Sequence, residues 1–597
     1  MVQVDDLHVR VRPASPGRLL AVTSSQLPLR RASPARNAPP PSRHPLAAGP
    51  AGGRASRPKR GLASVAPAGK PAEQRVMLAR AHTFTIEGLR TRRVTVEVDI
   101  RSGLPAFAIV GLADAAVREA RQRVQAAILN SGYQFPASRI TANLAPGDVP
   151  KVGPALDLAL ACAVLAASGQ LPVERLESCA LFGELALSGD VRPCQGTLAV
   201  AQATRQAGFS ALLLAGERAR EAKLVDGIEV AVVRRLTSAA RVLAGGPADE
   251  LPRLPALRTS AARTADRKAG AVAHDRSGAR DLADVRGQHH AVRALVIAAA
   301  GGHNILLSGP PGTGKTMLAQ RLESVLPPLD RREAIEVTRI HSITGGLSGE
   351  LARRRPFRAP HHSITAAGLV GGAHRRSVGE VVLAHNGVLF LDELSEFTRP
   401  ALEALRQPLE DGRVAIVRAQ HAALYPARFM LIAATNPCPC GYAGDVDRCR
   451  CSEADLARHR RRLSGPLLDR IDLLAHLQRD GAHDLNSAPL TSSAAARERV
   501  GLARERQARR LRDCGVSVNA HMDARVLQLH VRLDEKGQEM LREARERGLL
   551  SARGQHRVLR VARTIADLSH SRRVRPQDVG AAIALRPEAT LAGLRAA

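Results

Sequence analysis

Hydrophobic and polar positions alternate first at Phe84-Thr85-Ile86-Glu87 and again at Val94-Thr95-Val96-Glu97-Val98-Asp99-Ile100, which predicts two half-buried strands. A Gly-Leu-Pro turn at 103–105 leads to the apolar run Phe107-Ala108-Ile109-Val110-Gly111. A helix follows, with apolar positions at Ala116, Ala120, Val124, Ala127 and Ile128. Further strands are expected at Ile140–Leu144 and Ala180–Leu185, with a helix from Ala155 to Ala167 between them, so this part reads as an α+β domain. Beyond residue 281 the pattern changes. A helix from Ala291 to Ala300 is followed by short, continuous apolar runs at Ile305–Leu307, Gly387–Leu391 and Phe429–Ala434. Unbroken runs of this length predict strands of a parallel sheet, covered on both faces. A helix from Arg399 to Glu410 and a β-hairpin with a basic, polar tip lie between the second and third runs. The hairpin carries Arg413, Arg418 and His421 and returns through Tyr425 and Phe429. From about residue 490 the chain reads as helical. Ser551 is placed to cap a helix whose apolar face is Val558, Leu559, Ala562, Ile565 and Ala566, and Pro576 suits the first turn of the last helix.

Three stretches lack period. Residues 1–76 are rich in Pro, Arg, Ala and Ser, with Asp5, Asp6 and Glu73 as their acids; they are read as a disordered extension. An Arg-rich, acid-poor start is also the composition of a transit peptide, and a third reading, the preferred one, starts the protein at Met77. Residues 246–280 read as a linker, and the Gly- and Arg-rich stretch 341–380 is too long for an ordinary connection. The expected organisation is 1–76 extension, 77–245 α+β domain, 246–280 linker, 281–485 α/β core and 486–597 helical domain. No run of about 18 apolar residues occurs, so no membrane span and a cytoplasmic location are expected.

The first apolar run of the core opens directly into Gly309-Pro310-Pro311-Gly312-Thr313-Gly314-Lys315-Thr316, which fits G-x-x-x-x-G-K-[ST] between strand and helix. Such a loop turns backbone N–H groups around a triphosphate at the positive end of the following helix. Lys315 would reach the β/γ-phosphates of ATP and Thr316 the Mg²⁺. The second run ends in Asp392 and Glu393, of which the first would hold Mg²⁺ and the second polarise the attacking water. The third ends at Asn436, placed to orient that water.

Composition adds a partner. The formal charge is +31, with about ten of those charges in the first 76 residues. Aromatic residues make up 2% and there is no Trp, which favours contact with a nucleic-acid backbone over base stacking. DNA bound without sequence preference is the expected partner. Four of the eight cysteines crowd together as Cys438, Cys440, Cys449 and Cys451. They can assemble a tetrahedral thiolate site for Zn²⁺ or stand as an unmetallated loop, since C-x-C is tighter than the usual spacing. His361-His362, adjacent on a loop, are poorly placed to chelate one ion.

Two resemblances extend these readings. Pro150-Lys151-Val152-Gly153-Pro154-Ala155-Leu156-Asp157 and Gly183-Glu184-Leu185-Ala186-Leu187-Ser188-Gly189-Asp190-Val191 resemble the proteolytic domain of Lon proteases, a ribosomal S5-like α+β fold that works with a Ser–Lys dyad. Ala155 stands where that family has its nucleophile, and from Arg192 to Gly208 there is no lysine, so a Lon-like domain without protease activity is expected. Residues 77–597 as a whole resemble the Mg-chelatase-related AAA+ ATPases of the YifB/ComM type. The marks are Asp281-to-Gln288, the phosphate loop, Arg355-to-His362, Ala384-to-Gly387, Asn436-to-Gly441 and Leu549-to-Arg553; His374-to-Val378 departs from the proline turn common in the family. The resemblance implies an AAA+ P-loop module of α/β class with a helical lid, assembled as a hexameric ring. It assigns Arg470 as the arginine finger for a neighbour's γ-phosphate and Arg553 as the lid's nucleotide-sensing arginine. It also implies a DNA motor for branch migration in recombination and natural transformation. The alternative is a Mg-chelatase-like motor that remodels a protein partner.

Overall fold

The computed structural model describes residues 77–252, 280–345, 350–372, 378–418, 421–443, 447–462, 465–478 and 489–586. The expected extension, most of the linker, His374–Ser377, the hairpin tip and the side chains of Arg418 and His421 lie outside the described residues.

The first domain is built on a long antiparallel hairpin, β1 (Met77–Glu87) and β2 (Arg90–Arg101), paired in register from Met77 opposite Ile100 to Glu87 opposite Arg90. With β3 (Ala106–Val110), β4 (Arg139–Ala145), β5 (Cys179–Phe182), β8 (Ala211–Leu214) and β9 (Glu229–Val232) it forms a seven-stranded mixed sheet, ordered β3-β4-β2-β1-β5-β8-β9. The single strand expected at Ala180–Leu185 is divided. A short ribbon of β6 (Glu184–Leu185) and β7 (Val191–Arg192) branches off after Gly183, where a Cβ would lie 2.7 Å from Val191 Cγ1. Helix α1 (Ala115–Asn130) starts on Asp114, whose carboxylate accepts from Val117 N at 2.9 Å. Helix α2 (Asp157–Ala167) is buried all round, so its uniformly apolar sequence makes it the centre of the domain rather than a surface helix. Each of Leu158, Leu160 and Leu165 there contributes about 1.5–3 kcal/mol by burial. Helix α3 (Thr197–Gln206) lies further on.

The second domain holds a five-stranded parallel sheet ordered β11-β12-β15-β10-β16, from β10 (Ile305–Ser308), β11 (Phe357–Arg358), β12 (Val388–Leu391), β15 (Met430–Thr435) and β16 (Leu473–His476). The three expected strands are present and every residue of β10, β12 and β15 is buried, as their unbroken apolar runs require. Helix α4 (His289–Gly301) leads into β10, and α5 (Lys315–Val325) and α6 (Arg331–Thr344) follow it. The helix expected over Arg399–Glu410 is two, α7 (Arg399–Ala404) and α8 (Arg406–Asp411), because Pro408 has no N–H to give the carbonyl of Ala404. The hairpin is present as β13 (Arg413–Arg418) and β14 (His421–Pro426). Helix α9 (Glu453–Arg462) follows the cysteine segment.

The lid helices α10 (Ser493–Arg510), α11 (Glu535–Glu546), α12 (Ala552–Leu568) and α13 (Pro576–Ala584) are not a separate body. Val500, Ala503, Val558, Ala562 and Ile565 share one core with α4. Arg504 Nε donates to Ala299 O at 3.0 Å, and His303 Nε2 lies 2.8 Å from Thr564 Oγ1. The first domain in turn grips α6. Gly196 N donates to Ser342 O at 3.1 Å, the Ser342 hydroxyl to the buried Glu221 at 2.7 Å, and Arg331 pairs with Asp226 at 2.9 Å.

Candidate nucleotide site and cysteine cluster

The C-terminal ends of β10, β12 and β15 come together, and each delivers one part of the site. Past Ser308 the chain turns at Gly309, where a Cβ would lie 2.5 Å from Leu477 O, and enters α5 from Gly314 at φ +85°. Lys315, the first residue of α5, donates from Nζ to Gly309 O at 2.7 Å, Pro310 O at 2.8 Å and Asn436 Oδ1 at 3.0 Å. Burial pulls its ammonium below the usual lysine range, and the carboxylates of Asp392 and Glu393 pull the other way. The Thr316 hydroxyl donates to Asp392 Oδ2 at 2.7 Å, and Asp392 Oδ1 accepts from Glu393 N at 3.1 Å. The structure therefore brings Lys315, Thr316, Asp392, Glu393 and Asn436 into one site.

Glu393 adopts φ +52°, ψ +53°. A non-glycine residue there costs about 1–2 kcal/mol, and the cost is borne at the position that turns the carboxylate away from the strand. Its side chain is 59% exposed, and Oε2 lies 3.4 Å from His362 Nδ1. His362 packs against His361 at 4.1 Å between ring centroids, with the rings tilted by 36°. The long segment that carries the histidines is held in place by Arg355 on Glu333 at 2.6 and 3.1 Å and by Arg358 on Glu380 at 2.6 and 2.9 Å. From the sequence the histidine pair is weighed only as metal ligands; its contact with Glu393 is not legible there, and the excessive length of the segment is the one signal of it.

Arg470 and Arg553 fall elsewhere. Both line a cavity of 450 Å³, together with Glu410, Asp472, Arg557 and Arg560, and no phosphate-loop residue lines it. The Arg470 guanidinium is in contact with Glu410 on α8, and its carbonyl accepts from Asn304 Nδ2 at 2.9 Å. Arg557 pairs with Asp472 at 3.1 Å. Although burial pushes the Asp472 carboxyl up, His303 and Arg557 outweigh it and hold the group well below the usual range. The lid packs behind the sheet on α4, so Arg553 sits beside Arg470 and not over the chain's own phosphate loop.

The thiols of Cys438, Cys440, Cys449 and Cys451 all lie within 4.8 Å of one another. Sγ–Sγ separations are 3.3 Å for Cys438–Cys440, 3.7 Å for Cys440–Cys449 and 4.0 Å for Cys438–Cys449. Four thiolates placed tetrahedrally at about 2.3 Å from Zn²⁺ are about 3.8 Å apart, so the donor set fits that ion. All four cysteines are free thiols.

Known proteins resemble this chain along most of its length. The family described as magnesium chelatase, subunit ChlI, matches residues 281–485; subunit ChlI of Mg-chelatase matches 96–218, and the ChlI C-terminal family matches 490–586. An uncharacterized protein of Mycobacterium tuberculosis (strain H37Rv) is 45% identical over 512 residues, covering 85% of this chain and 98% of its own. YifB of Escherichia coli is 41% identical over 513 residues, 85% of this chain and 97% of its own. The competence protein ComM of Haemophilus influenzae is 41% identical over 504 residues, 83% and 95% respectively. With this coverage, and with a P-loop at the edge of a five-stranded parallel sheet, the chain belongs to the Mg-chelatase-related AAA+ family of the YifB/ComM type.

Proposed function

We propose that the protein is an ATP-driven ring motor acting on DNA, of the branch-migrating or helicase kind. The observation that carries the nucleotide half is the convergence of Lys315, Thr316–Asp392, Glu393 and Asn436 at one sheet edge. The loop and α5 would hold the triphosphate of ATP, and Thr316 and Asp392 would hold Mg²⁺, which when bound neutralises phosphate charge. Lys315 exchanges its loop carbonyls for phosphate oxygens. Glu393 polarises the attacking water and Asn436 orients it. Arg470 and Arg553, side by side and away from the chain's own loop, both serve a neighbour's nucleotide, which makes a closed ring, a hexamer, the working form. Zn²⁺ belongs in the cysteine cluster.

The DNA half is supported by the charge of +31 and by similarity to a protein named for competence, and natural transformation and recombination are the settings in which the motor would act. The Lon-like domain is without protease activity, since Ala155 stands where the nucleophile would be. Remodelling of a protein partner is the second reading, favoured by the ChlI family match. ATP turnover measured with and without single-stranded, duplex and branched DNA decides between them: stimulation of severalfold by one of the DNAs is expected, and a rate indifferent to all three supports the protein-remodelling motor. Mixing Arg470→Ala with Lys315→Ala protein should restore part of the activity each lacks, read as turnover across mixing ratios; no recovery in verified mixed rings would rule out action in trans.

A further inference from the structure

The segment from Cys438 to Arg462 is tied to the nucleotide site at three points. Cys438 comes two residues after Asn436, the residue that accepts from Lys315. Gly441 takes φ +87° and rests so closely on the phosphate loop that a Cβ would come 2.5 Å from Pro311 Cδ. His459, buried on the inner side of α9, lies with Nε2 3.0 Å from Asn436 O. The cysteine cluster sits between these ties, and Ala443 N donates to Cys438 Sγ at 3.2 Å. Helix α9 then starts one residue past Ser452, which follows Cys451. Its first turn is closed by reciprocal bonds of Ser452 and Asp455, at 3.2 Å each.

The outer side of α9 contributes nothing to the core. Arg458, Arg460, Arg461 and Arg462 are all exposed. Arg458 lies 3.4 Å from Asp455 and Arg462 3.9 Å from Glu396, each a loose and solvated pair, and among the described residues neither Arg460 nor Arg461 has a carboxylate partner. Basic residues in a last turn suit the helix dipole, which is worth well under 1 kcal/mol for each exposed charge. That accounts for one or two arginines and not for a run facing water beside an ATP site.

We propose that residues 438–443 and 447–462 form a zinc-anchored phosphate-binding arm. The four thiolates hold one Zn²⁺, which fixes the root of α9 against the phosphate loop. The exposed arginines take the backbone of a nucleic acid, and His459 connects that contact to Asn436. The ion is structural: a closed four-thiolate set leaves no open position for substrate. Because the contacts are to phosphate, binding through the arm is blind to sequence and falls with salt. The inference rests on the DNA reading above and adds to it a surface that takes the phosphate backbone.

The test uses the full chain in three measurements. Elemental analysis of the purified protein should find one zinc per chain. Zinc-free protein that takes up none when titrated with ZnCl₂, or whose thiols are oxidised to disulfides, overturns the site. The Arg460→Ala/Arg461→Ala variant keeps all four thiols and should keep its zinc. For a single-stranded oligonucleotide, the slope of its log affinity against log salt should fall by about 1.4 if two phosphate contacts are lost. An unchanged slope, in a parent that binds DNA normally, overturns the arm and leaves the DNA reading standing; a parent that binds no DNA at all refutes that reading and the arm with it. Cys440→Ser should lose zinc and lose the same salt-dependent component while helix content by circular dichroism persists. If that variant does not fold, the double arginine variant alone decides the matter.

Discussion

Two lysines, one in each domain, make the same contact to opposite ends. Lys151 of the Lon-like domain is fully buried. Its ammonium bonds to Pro146 O, its N–H donates to Leu112 O at 2.9 Å, and its carbonyl accepts from Asp114 N at 3.1 Å. Around it the other polar groups are also spent on one another. Arg123 grips the buried Asp157 at 2.7 and 3.1 Å, and Asp114 accepts from Gly153 N at 3.2 Å. Lys315 also rests on main-chain carbonyls, but in an open loop, facing the half-exposed Glu393 and a hydroxyl–carboxylate pair that a divalent cation can enter. A lysine closed in on all sides is a strut; one that can trade carbonyls for phosphate is a binding group. The motif surrounding each, Gly-Pro in both cases, does not distinguish them, whereas access and the chemistry of the neighbours do.

The comparison is most exposed to Lys315→Ala, which should lower ATP turnover by two orders of magnitude or more, with nucleotide affinity falling as well. Turnover within tenfold of the parent would mean that the site is not the one described. Glu393→Gln should lower turnover about a hundredfold or more while ATP still binds, so that nucleotide remains trapped on the protein after rapid gel filtration; parental turnover would remove the glutamate from its role. Lys151→Met should act on stability alone. Leaving the Pro146 carbonyl buried without a donor costs about 1–3 kcal/mol, read as a lower urea midpoint of the first transition, with ATP turnover of the folded protein within twofold. A large loss of turnover at full stability would make Lys151 more than a strut. Ala155→Ser should change nothing measurable. The hydroxyl has no lysine base within Arg192–Gly208, and casein cleavage by this variant would show that the pocket is not as closed as Arg123 and Asp157 make it.

The parts of this fold that were legible in the sequence are those where one physical cause dominates a contiguous run. β10, β12 and β15 could be read because a strand covered on both faces must be apolar throughout and must become polar where it meets the site. The hairpin β13–β14 and the cap at Ser551, which accepts from Gly554 N at 3.0 Å, are equally local. What escaped depends on neighbours far along the chain. β9 and β16 have four residues each, too few to show a period, and are strands because each pairs along the outermost side of a sheet. Helix α6 is too polar on three sides to announce itself, and one of its faces is covered by the other domain. The contact of His362 with Glu393, and the removal of Arg553 to the side of Arg470, follow from how a long segment and a lid pack; no spacing encodes them.

The grip of the first domain on α6 constrains how these two halves are inherited. A helix leaves its last carbonyls without partners of its own. At the C-terminal end of α6, Ser342 O takes its donor from Gly196, while Arg218 and Glu221 reach the same residue. Gly196 is at φ +83°, where a side chain is strained, and a Cβ would come 2.3 Å from Ile86 Cδ1, which would have to shift. A Lon-like domain borrowed from another protein would therefore need a glycine, an acid and an arginine at these three places before it could seat an ATPase core from this one. Swaps between relatives should therefore depend on that match, together with the Arg331–Asp226 pair across the same seam.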